Sequence, residues 1–335
     1  MNKVKLAVIG LGYWGPNLIR NINELENAEI KYGCDLRFDL IKKYSLAYPN
    51  ITFISDYNRV LKDKNIDAVC IATPLSTHYK LAKLALNAGK HVLLEKPMVS
   101  SVEKGEELIK LARKKNAILM VDYTFLFTGA VSKIKALIDN NELGKIYYFD
   151  SERINLGLIR QDNNVIWDLA AHDLSIILYL FDKNKPLSVF ATATKHLNEK
   201  VEEMAHITLE LEGGIVAHIH VSWLSPVKIR KILIGGSKKM IVYNDIEPSE
   251  KVKVYNKGID ISREKVTPFN PAYRSGDIYI PKLDNTEALK LAAEHFVKCI
   301  QKKKKSLMDG DKVLMVVKLL ESCDKSIAKG KKIKL

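Results

Sequence analysis

The sequence predicts two domains: a parallel, doubly wound α/β domain over residues 1–122, then an α+β domain over 123–335 built on a large, mostly antiparallel sheet. Three observations carry that expectation. From residue 4 to about 122, short apolar strands alternate with amphipathic helices, the pattern of a parallel α/β sheet. Beyond it, consecutive strands are joined by short turns such as Glu212-Gly213-Gly214, which implies mostly antiparallel pairing. The 335 residues are also enough for two separate cores.

The elements follow in order. Lys5 to Ile9 is an apolar strand that runs into a glycine turn and a helix through Asn23. Glu29 to Cys34 is a strand, Asp39 to Tyr48 a helix, Ile51 to Ile54 a short strand and Asp56 to Lys62 a short helix. Ala68 to Ala72 reads as a buried strand, and Thr77 to Ala88 as a helix stopped by Gly89, a good capping glycine. His91 to Leu94 is a strand, Val102 to Asn116 a helix and Ile118 to Val121 a strand. In the second domain a helix from Ala130 to Asn140 leads through Gly144 into a strand from Ile146 to Ile154, and a helix spans Trp167 to Phe181. Strands follow at Leu187–Thr194, Met204–Leu211, Ile215–Trp223, Ile229–Gly235 and Met240–Asn244. Val254 to Asp284, rich in Pro, Gly and Asn, is expected to be an irregular loop. Helices at Glu287–Gln301 and Asp311–Ala328 close the chain, with the option of packing back toward the first domain.

Composition narrows the function. A hydrophobic content of 47% and a charged content of 27% are those of an ordinary globular protein. Neither a secretory leader nor an apolar run long enough to span a bilayer is apparent, so a cytoplasmic protein without membrane contact is expected. Cys34, Cys70, Cys299 and Cys323 form no paired-thiol or zinc spacing and read as buried, reduced thiols. The net charge of +14 is concentrated at the end: from Lys298 onward 12 lysines face four acids. No aromatic residues interleave those lysines, so nucleic-acid binding is not expected. His218 and His220 share one face of a strand, but no suitable third ligand is evident and no metal is expected. Ile219, Val221 and Trp223 point the other way and read as core or interface. A large sheet left uncovered on one face predicts a homo-oligomer, dimer or tetramer.

The nucleotide end is the best marked. Gly10-Leu11-Gly12-Tyr13-Trp14-Gly15 follows a strand and opens a helix. Its first glycine permits the tight turn, its second lets backbone approach a pyrophosphate, and its third lets helix and strand pack closely. The helix N-terminus then offers unpaired N–H groups and a positive dipole end to phosphate. This is the dinucleotide-binding arrangement of a Rossmann domain. Asp35 ends the second strand, 20 residues past Gly15, where an acid accepts hydrogen bonds from the adenosine ribose. It favours NAD over NADP, while Arg37 is able to accommodate a 2′-phosphate.

Three further segments carry chemistry. Ala72-Thr73-Pro74-Leu75-Ser76-Thr77-His78 and Glu95-Lys96-Pro97 end two strands at the ligand-binding edge of such sheets. A lysine there could hydrogen-bond a substrate hydroxyl. In Trp167-Asp168-Leu169-Ala170-Ala171-His172-Asp173, a helix would put Asp168 and His172 on one face. A histidine steered by a carboxylate is a suitable base for an alcohol undergoing oxidation.

The glycine motif, the Glu-Lys-Pro segment and the Asp-x-x-x-His helix together resemble the Gfo/Idh/MocA family of sugar and cyclitol oxidoreductases, over essentially the whole chain. The resemblance implies that Gly10, Gly12, Tyr13, Trp14 and Gly15 hold the pyrophosphate, and that Asp35, with Leu36 and Arg37, holds the adenosine ribose. It places Thr73, Pro74, Thr77 and His78 at the middle of the dinucleotide and Glu95 near the nicotinamide ribose. Lys96, Asp168 and His172 are then catalytic and face the reacting carbinol. The segments 151–160, 167–173 and 221–226 are similar to those of members acting on nucleotide sugars. That likeness implies oxidation of the C3 hydroxyl of UDP-N-acetylglucosamine to its 3-keto form. Substrate contacts would come from Lys96, Tyr123, Arg153, Asn155, Arg160, Trp167, Asp168 and His172. Arg153 and Arg160 suit a diphosphate, with solvated surface arginines as the alternative. The chain departs from the family pattern at Ala170-Ala171, where a proline is expected before the histidine. It departs again at Asp122-Tyr123, where a small residue and a polar ring are expected. Two other readings fit the same residues: a dehydrogenase or ketoreductase for another sugar or inositol, and a noncatalytic dinucleotide sensor. A sensor would have no need of Lys96, Asp168 and His172 together.

Overall fold

Six strands form an all-parallel sheet in the order β3-β2-β1-β4-β5-β6. They are β1 (Val4–Ile9), β2 (Ala28–Cys34), β3 (Thr52–Ile54), β4 (Ala68–Ile71), β5 (His91–Glu95) and β6 (Leu119–Asp122). The computed structural model describes residues 3–157, 163–197, 200–260 and 272–335. Helices cover the sheet: α1 (Gly15–Asn23), α2 (Phe38–Ala47), α3 (Tyr57–Lys62), α4 (Leu75–Asn87) and α5 (Val102–Lys114). Every residue of β4 is buried, as expected of a parallel strand covered on both faces. Local chemistry sets the helix ends. Pro16 lies in the first turn of α1. Asp56 caps α3 by accepting from Asn58 N, and Ser101 caps α5 by accepting from Lys104 N. Gly89, at φ +75°, ends α4.

The chain divides into two compact units, residues 1–127 with 286–318, and 128–285 with 319–335. The first unit thus takes back a segment from the far end of the chain. Leu289, Ala292, Ala293, Phe296 and Val297 of α8 (Ala288–Lys302) join one buried cluster with Leu6, Val8, Leu18, Ile19 and Ile22. Arg20 and Glu287 form a two-pronged pair at 2.8 and 2.7 Å at the start of that helix.

The second unit holds a nine-stranded sheet in the order β14-β13-β12-β11-β7-β10-β9-β8-β15. Its strands are β7 (Ile146–Leu156), β8 (Pro186–Thr194), β9 (Met204–Leu211), β10 (Ile215–Ser222), β11 (Leu224–Gly236), β12 (Met240–Asn244), β13 (Val252–Asp260), β14 (Ala272–Tyr279) and the short β15 (Ile333–Lys334). Pairing is antiparallel except between β7 and β10. This unit also contains α6 (Gly129–Asp139) and α7 (Ala171–Leu180), while α9 (Gly310–Lys329) starts in the first unit and ends in the second. Alternation along β9 and β10 buries Ala205, Ile207, Leu209, Ala217, Ile219 and Val221 on one face.

Four expectations are corrected. Within 254–284, the described residues 254–260 and 272–279 are strands rather than irregular loop. β13 and β14 pair there, with Val252 and Val254 buried and β14 at the sheet edge, and the intervening Lys, Asn and Gly residues hid the strand pattern. β11 begins earlier than expected, with a register break between Leu224 and Ile229 that accommodates Pro226. The helix expected over Trp167–Phe181 opens with a π-helical turn, Ile166–Ala170, before α7. The sheet face opposite the buried one is also more polar than an exposed apolar interface. His206 and His220 stack there at 4.2 Å, and His218 Nδ1 lies 2.9 Å from Asp150 Oδ1.

Among the described residues no helix is long and apolar enough to cross a membrane. No group of three His, Cys, Asp or Glu side chains there is placed to hold a metal ion. All four cysteines are buried and free.

Candidate active site

Strand order reverses between β1 and β4, where α/β sheets of this kind open a crevice at their C-terminal edge. The glycine turn sits at that edge and is shaped by what it must avoid. Gly10, at φ +93°, has room for no side chain, since a Cβ would stand 2.5 Å from Ala72 O. A Cβ on Gly15 would stand 1.9 Å from Gly10 O, so this glycine serves helix–strand packing. Gly12 differs: the nearest atom to its Cβ position is Arg37 Nη2 at 3.5 Å. Its open surface fits the close approach of a pyrophosphate to backbone, and the start of α1 follows with no side-chain cap. Tyr13 is exposed and Trp14 half-exposed beside it, their rings in edge contact at 5.2 Å.

Asp35 stands next to this turn. Its Oδ2 accepts from Leu11 N at 2.7 Å and Arg37 Nη2 at 3.0 Å, and its Oδ1 from Arg37 N at 2.9 Å and Nε at 3.1 Å. Burial alone would push this carboxyl up, but the Arg37 bonds and the Leu11 N–H outweigh it and hold the group below the usual range. Arg37 is therefore engaged by Asp35. Leu36 is exposed beside it.

At the end of β4, Thr77 Oγ1 donates to Pro74 O at 2.7 Å and lies 2.7 Å from Thr73 Oγ1. His78 is buried, with Nε2 2.8 Å from Thr73 O and Nδ1 3.0 Å from Pro97 O. Each ring nitrogen is within hydrogen-bond distance of a backbone carbonyl. His78 thus ties the strand-end loops after β4 and β5 together. The Lys96–Pro97 peptide is cis.

Glu95 and Asp122 are register neighbours at the ends of β5 and β6, both buried. Burial pushes the Glu95 carboxyl up to about 8; the Asp122 charge adds to the shift, and Lys96 opposes it. Burial pushes Asp122 up to about 6 against a hydrogen bond from Thr124 Oγ1 at 3.0 Å. Tyr123, expected at the substrate, has a fully buried side chain whose hydroxyl has no hydrogen-bond partner.

The second unit builds a separate cluster. Asn164 Oδ1 accepts from Ile166 N at 3.1 Å and Trp167 N at 3.2 Å, fixing the start of the π turn. Trp167 is buried and donates its indole N–H to Asp324 Oδ2 at 2.7 Å. Asp168 and His172 are both partly exposed, one on the π turn and one in the first turn of α7. Asp168 Oδ2 accepts from Trp223 Nε1 at 3.2 Å, a partner the sequence pattern did not single out. Asn155 is partly exposed near the end of β7. Arg153, expected at a diphosphate, has a carboxylate partner inside its own unit. It is buried and grips Asp173, Nε to Oδ2 at 2.8 Å and Nη2 to Oδ1 at 3.1 Å. Arg160 lies outside the described residues.

A family model described as the oxidoreductase family with NAD-binding Rossmann fold matches residues 4–123, and the GFO/IDH/MocA C-terminal domain model matches residues 131–242. The uncharacterized oxidoreductase YrbE of Bacillus subtilis is 29% identical over 227 residues, 65% of this chain and 66% of its own. The UDP-N-acetylglucosamine 3-dehydrogenase of Acidithiobacillus ferrooxidans is 27% identical over 246 residues, 73% of this chain and 74% of its own. The solved structure of that enzyme shares the fold, with a TM-score of 0.84 at 22% identity, covering 98% of this chain and 99% of its own. The myo-inositol 2-dehydrogenase of Thermotoga maritima is 22% identical over 343 residues, 99% of this chain and 98% of its own. In four of the curated oxidoreductase matches, YrbE among them, the aligned stretch spans 55–66% of the relative's length.

Proposed function

The chain belongs to the Gfo/Idh/MocA oxidoreductase family, with an NAD-binding Rossmann domain, and from that premise we propose that it oxidises the C3 hydroxyl of a nucleotide sugar, UDP-N-acetylglucosamine, to the 3-keto form. The observation that carries the reading is that Asp168 and His172, four residues apart at the π turn and the start of α7, are both partly exposed, with Asp168 oriented by a buried indole. A carboxylate held in this way steers an imidazole as general base. The likeness to the Acidithiobacillus ferrooxidans enzyme supports the choice of sugar.

When bound, NAD supplies the two-electron acceptor for hydride. The remaining roles fall to this chain. The backbone at Gly10, Gly12 and Gly15 and the start of α1 receive the pyrophosphate, with Tyr13 and Trp14 alongside. Asp35 accepts from the adenosine ribose, with Leu36 and Arg37 beside it. Thr73, Pro74, Thr77 and His78 shape the edge for the middle of the dinucleotide, and Glu95 serves the nicotinamide ribose. Lys96 donates a hydrogen bond to the carbinol oxygen. His172 would take the hydroxyl proton of the C3 carbinol, leaving C3 as a carbonyl carbon with bound NAD as the electron acceptor. Asp168 stabilises the imidazolium that results. Asn155 contacts the sugar.

A second reading, oxidation of an inositol or free sugar by the same residues, is favoured by the match to the Thermotoga maritima enzyme along nearly the whole chain. Absorbance of reduced nicotinamide separates the two. Turnover with UDP-N-acetylglucosamine, abolished by Lys96→Ala or His172→Ala, is expected. Turnover only with myo-inositol or glucose would discard the nucleotide sugar. Variants that keep both cofactor binding and cellular function would favour a noncatalytic sensor. A homo-oligomer, dimer or tetramer, belongs to the same proposal, and sedimentation as a monomer at micromolar concentration would count against it.

A further inference from the structure

Asp122 is a surplus acid. The family pattern calls for a small residue at this place, yet β6 ends here on a carboxyl directly opposite Glu95 in the parallel register. Asp122 is 1% exposed and Glu95 8%. One oxygen of Asp122 accepts from Thr124, while its Oδ2 is buried with no hydrogen-bond partner. Glu95 has a long contact from Lys96 N, 3.3 Å to Oε2. Two buried carboxylates at adjacent strand ends repel each other, and neither has the donors needed to make a second charge cheap. The pair therefore retains a proton where isolated carboxyls would have lost both.

The proton belongs on Glu95. Glutamic acid is the weaker acid of the two by nature, and the Thr124 hydroxyl stabilises charge on Asp122. The other groups acting on the pair do not reverse this order. The Cys70 thiol on β4 is kept neutral by burial, and Lys96 acts on Glu95 from the next position in the chain.

We propose that Asp122 is a positioning residue that carries the single negative charge of the pair and so keeps Glu95 in its neutral acid form. The carboxyl next to Lys96 is then a hydrogen-bond donor, suited to a ribose oxygen, rather than a second anion. The role given to Lys96 and the ribose rests on the proposed function; the location of the proton does not.

The test is a carboxyl-carbon NMR titration of the cofactor-free protein labelled at glutamate, with Glu95→Gln to assign the resonance. Glu95 is expected to remain protonated at neutral pH and to titrate near 8. In Asp122→Asn its midpoint should fall by about one pH unit or more. Infrared spectra of the unaltered protein give a second readout, a protonated-acid carbonyl band at neutral pH that Glu95→Gln removes. A Glu95 already ionised at neutral pH, or a midpoint unmoved by Asp122→Asn, overturns the inference. In turnover, the alkaline limb of kcat/KM should shift downward by the same interval in Asp122→Asn. A protein that passes the titration but oxidises no sugar would refute the proposed function and leave the proton assignment standing.

Discussion

The indole N–H of Trp223 donates to Asp168 Oδ2 across 3.2 Å, from a side chain only 1% exposed. The carbonyl of the same residue accepts from Gly157 N at 2.9 Å, and a Cβ on Gly157 would come within 2.8 Å of its ring. One buried tryptophan thus fixes both the end of β7 and the carboxylate proposed to steer the catalytic base. Trp223→Phe keeps an aromatic ring but removes the donor. Losing a hydrogen bond to a charged group, worth about 1.5–3 kcal/mol, should lower kcat at least tenfold. The KM for NAD should not move. Steady-state kinetics checks this, and an unchanged kcat would show that Asp168 is held by other means.

The three glycines of the nucleotide turn should separate fold from function. Gly10→Ala and Gly15→Ala force a Cβ against backbone, at 2.5 Å and 1.9 Å, and should destabilise the first unit by about 2 kcal/mol or more. Gly12→Ala has only a flexible guanidinium nearby, so its melting temperature should stay close to the parent while NAD affinity drops at least tenfold. Thermal unfolding paired with cofactor titration reads both. A Gly12→Ala protein that binds NAD normally would remove this turn from the pyrophosphate site.

Asp35 should set both cofactor choice and its pH tolerance. Because its bonds to Arg37 and Leu11 overcome burial and hold the carboxyl below the usual range, its stabilising contribution is present above the unfolded-state pKa. It is lost only as pH falls through the lower folded value. NAD affinity should therefore be nearly flat from about pH 7 to about pH 5, as measured by fluorescence titration. Asp35→Ser releases Arg37 and removes the charge that repels a 2′-phosphate. The preference for NAD over NADP should then shrink by about 10- to 100-fold, the value of a charged hydrogen bond. A steep acid loss of NAD binding, or an unchanged preference, would contradict the assignment.

What the sequence made legible follows from where its patterns are strictest. The parallel sheet is read easily because strands buried on both faces must be apolar throughout, as in Ala68–Ile71, and because Gly10 and Gly15 answer to steric demands that allow no substitute. The edge strand β14 and its neighbour β13 were hidden because one-sided burial leaves only Val252 and Val254 as a signal. The Arg153–Asp173 pair was not legible, because a sequence does not show that β7 brings residue 153 to a carboxylate 20 positions away. Asp122 was visible as a departure, but its significance depends on β5 and β6 pairing it with Glu95. Trp223 read as core, and it is; its bond to Asp168 joins residues 55 positions apart, beyond any local pattern.

The most direct test of the central claim is UDP-N-acetylglucosamine carrying deuterium at C3, incubated with the protein and NAD, with the reduced cofactor analysed by mass spectrometry and the keto sugar trapped. The account predicts one deuterium in the reduced nicotinamide and a trapped 3-keto nucleotide sugar. Reduced cofactor without deuterium would place the oxidised carbon elsewhere, and no reduction by this substrate, with turnover of a free sugar instead, would contradict the nucleotide-sugar assignment.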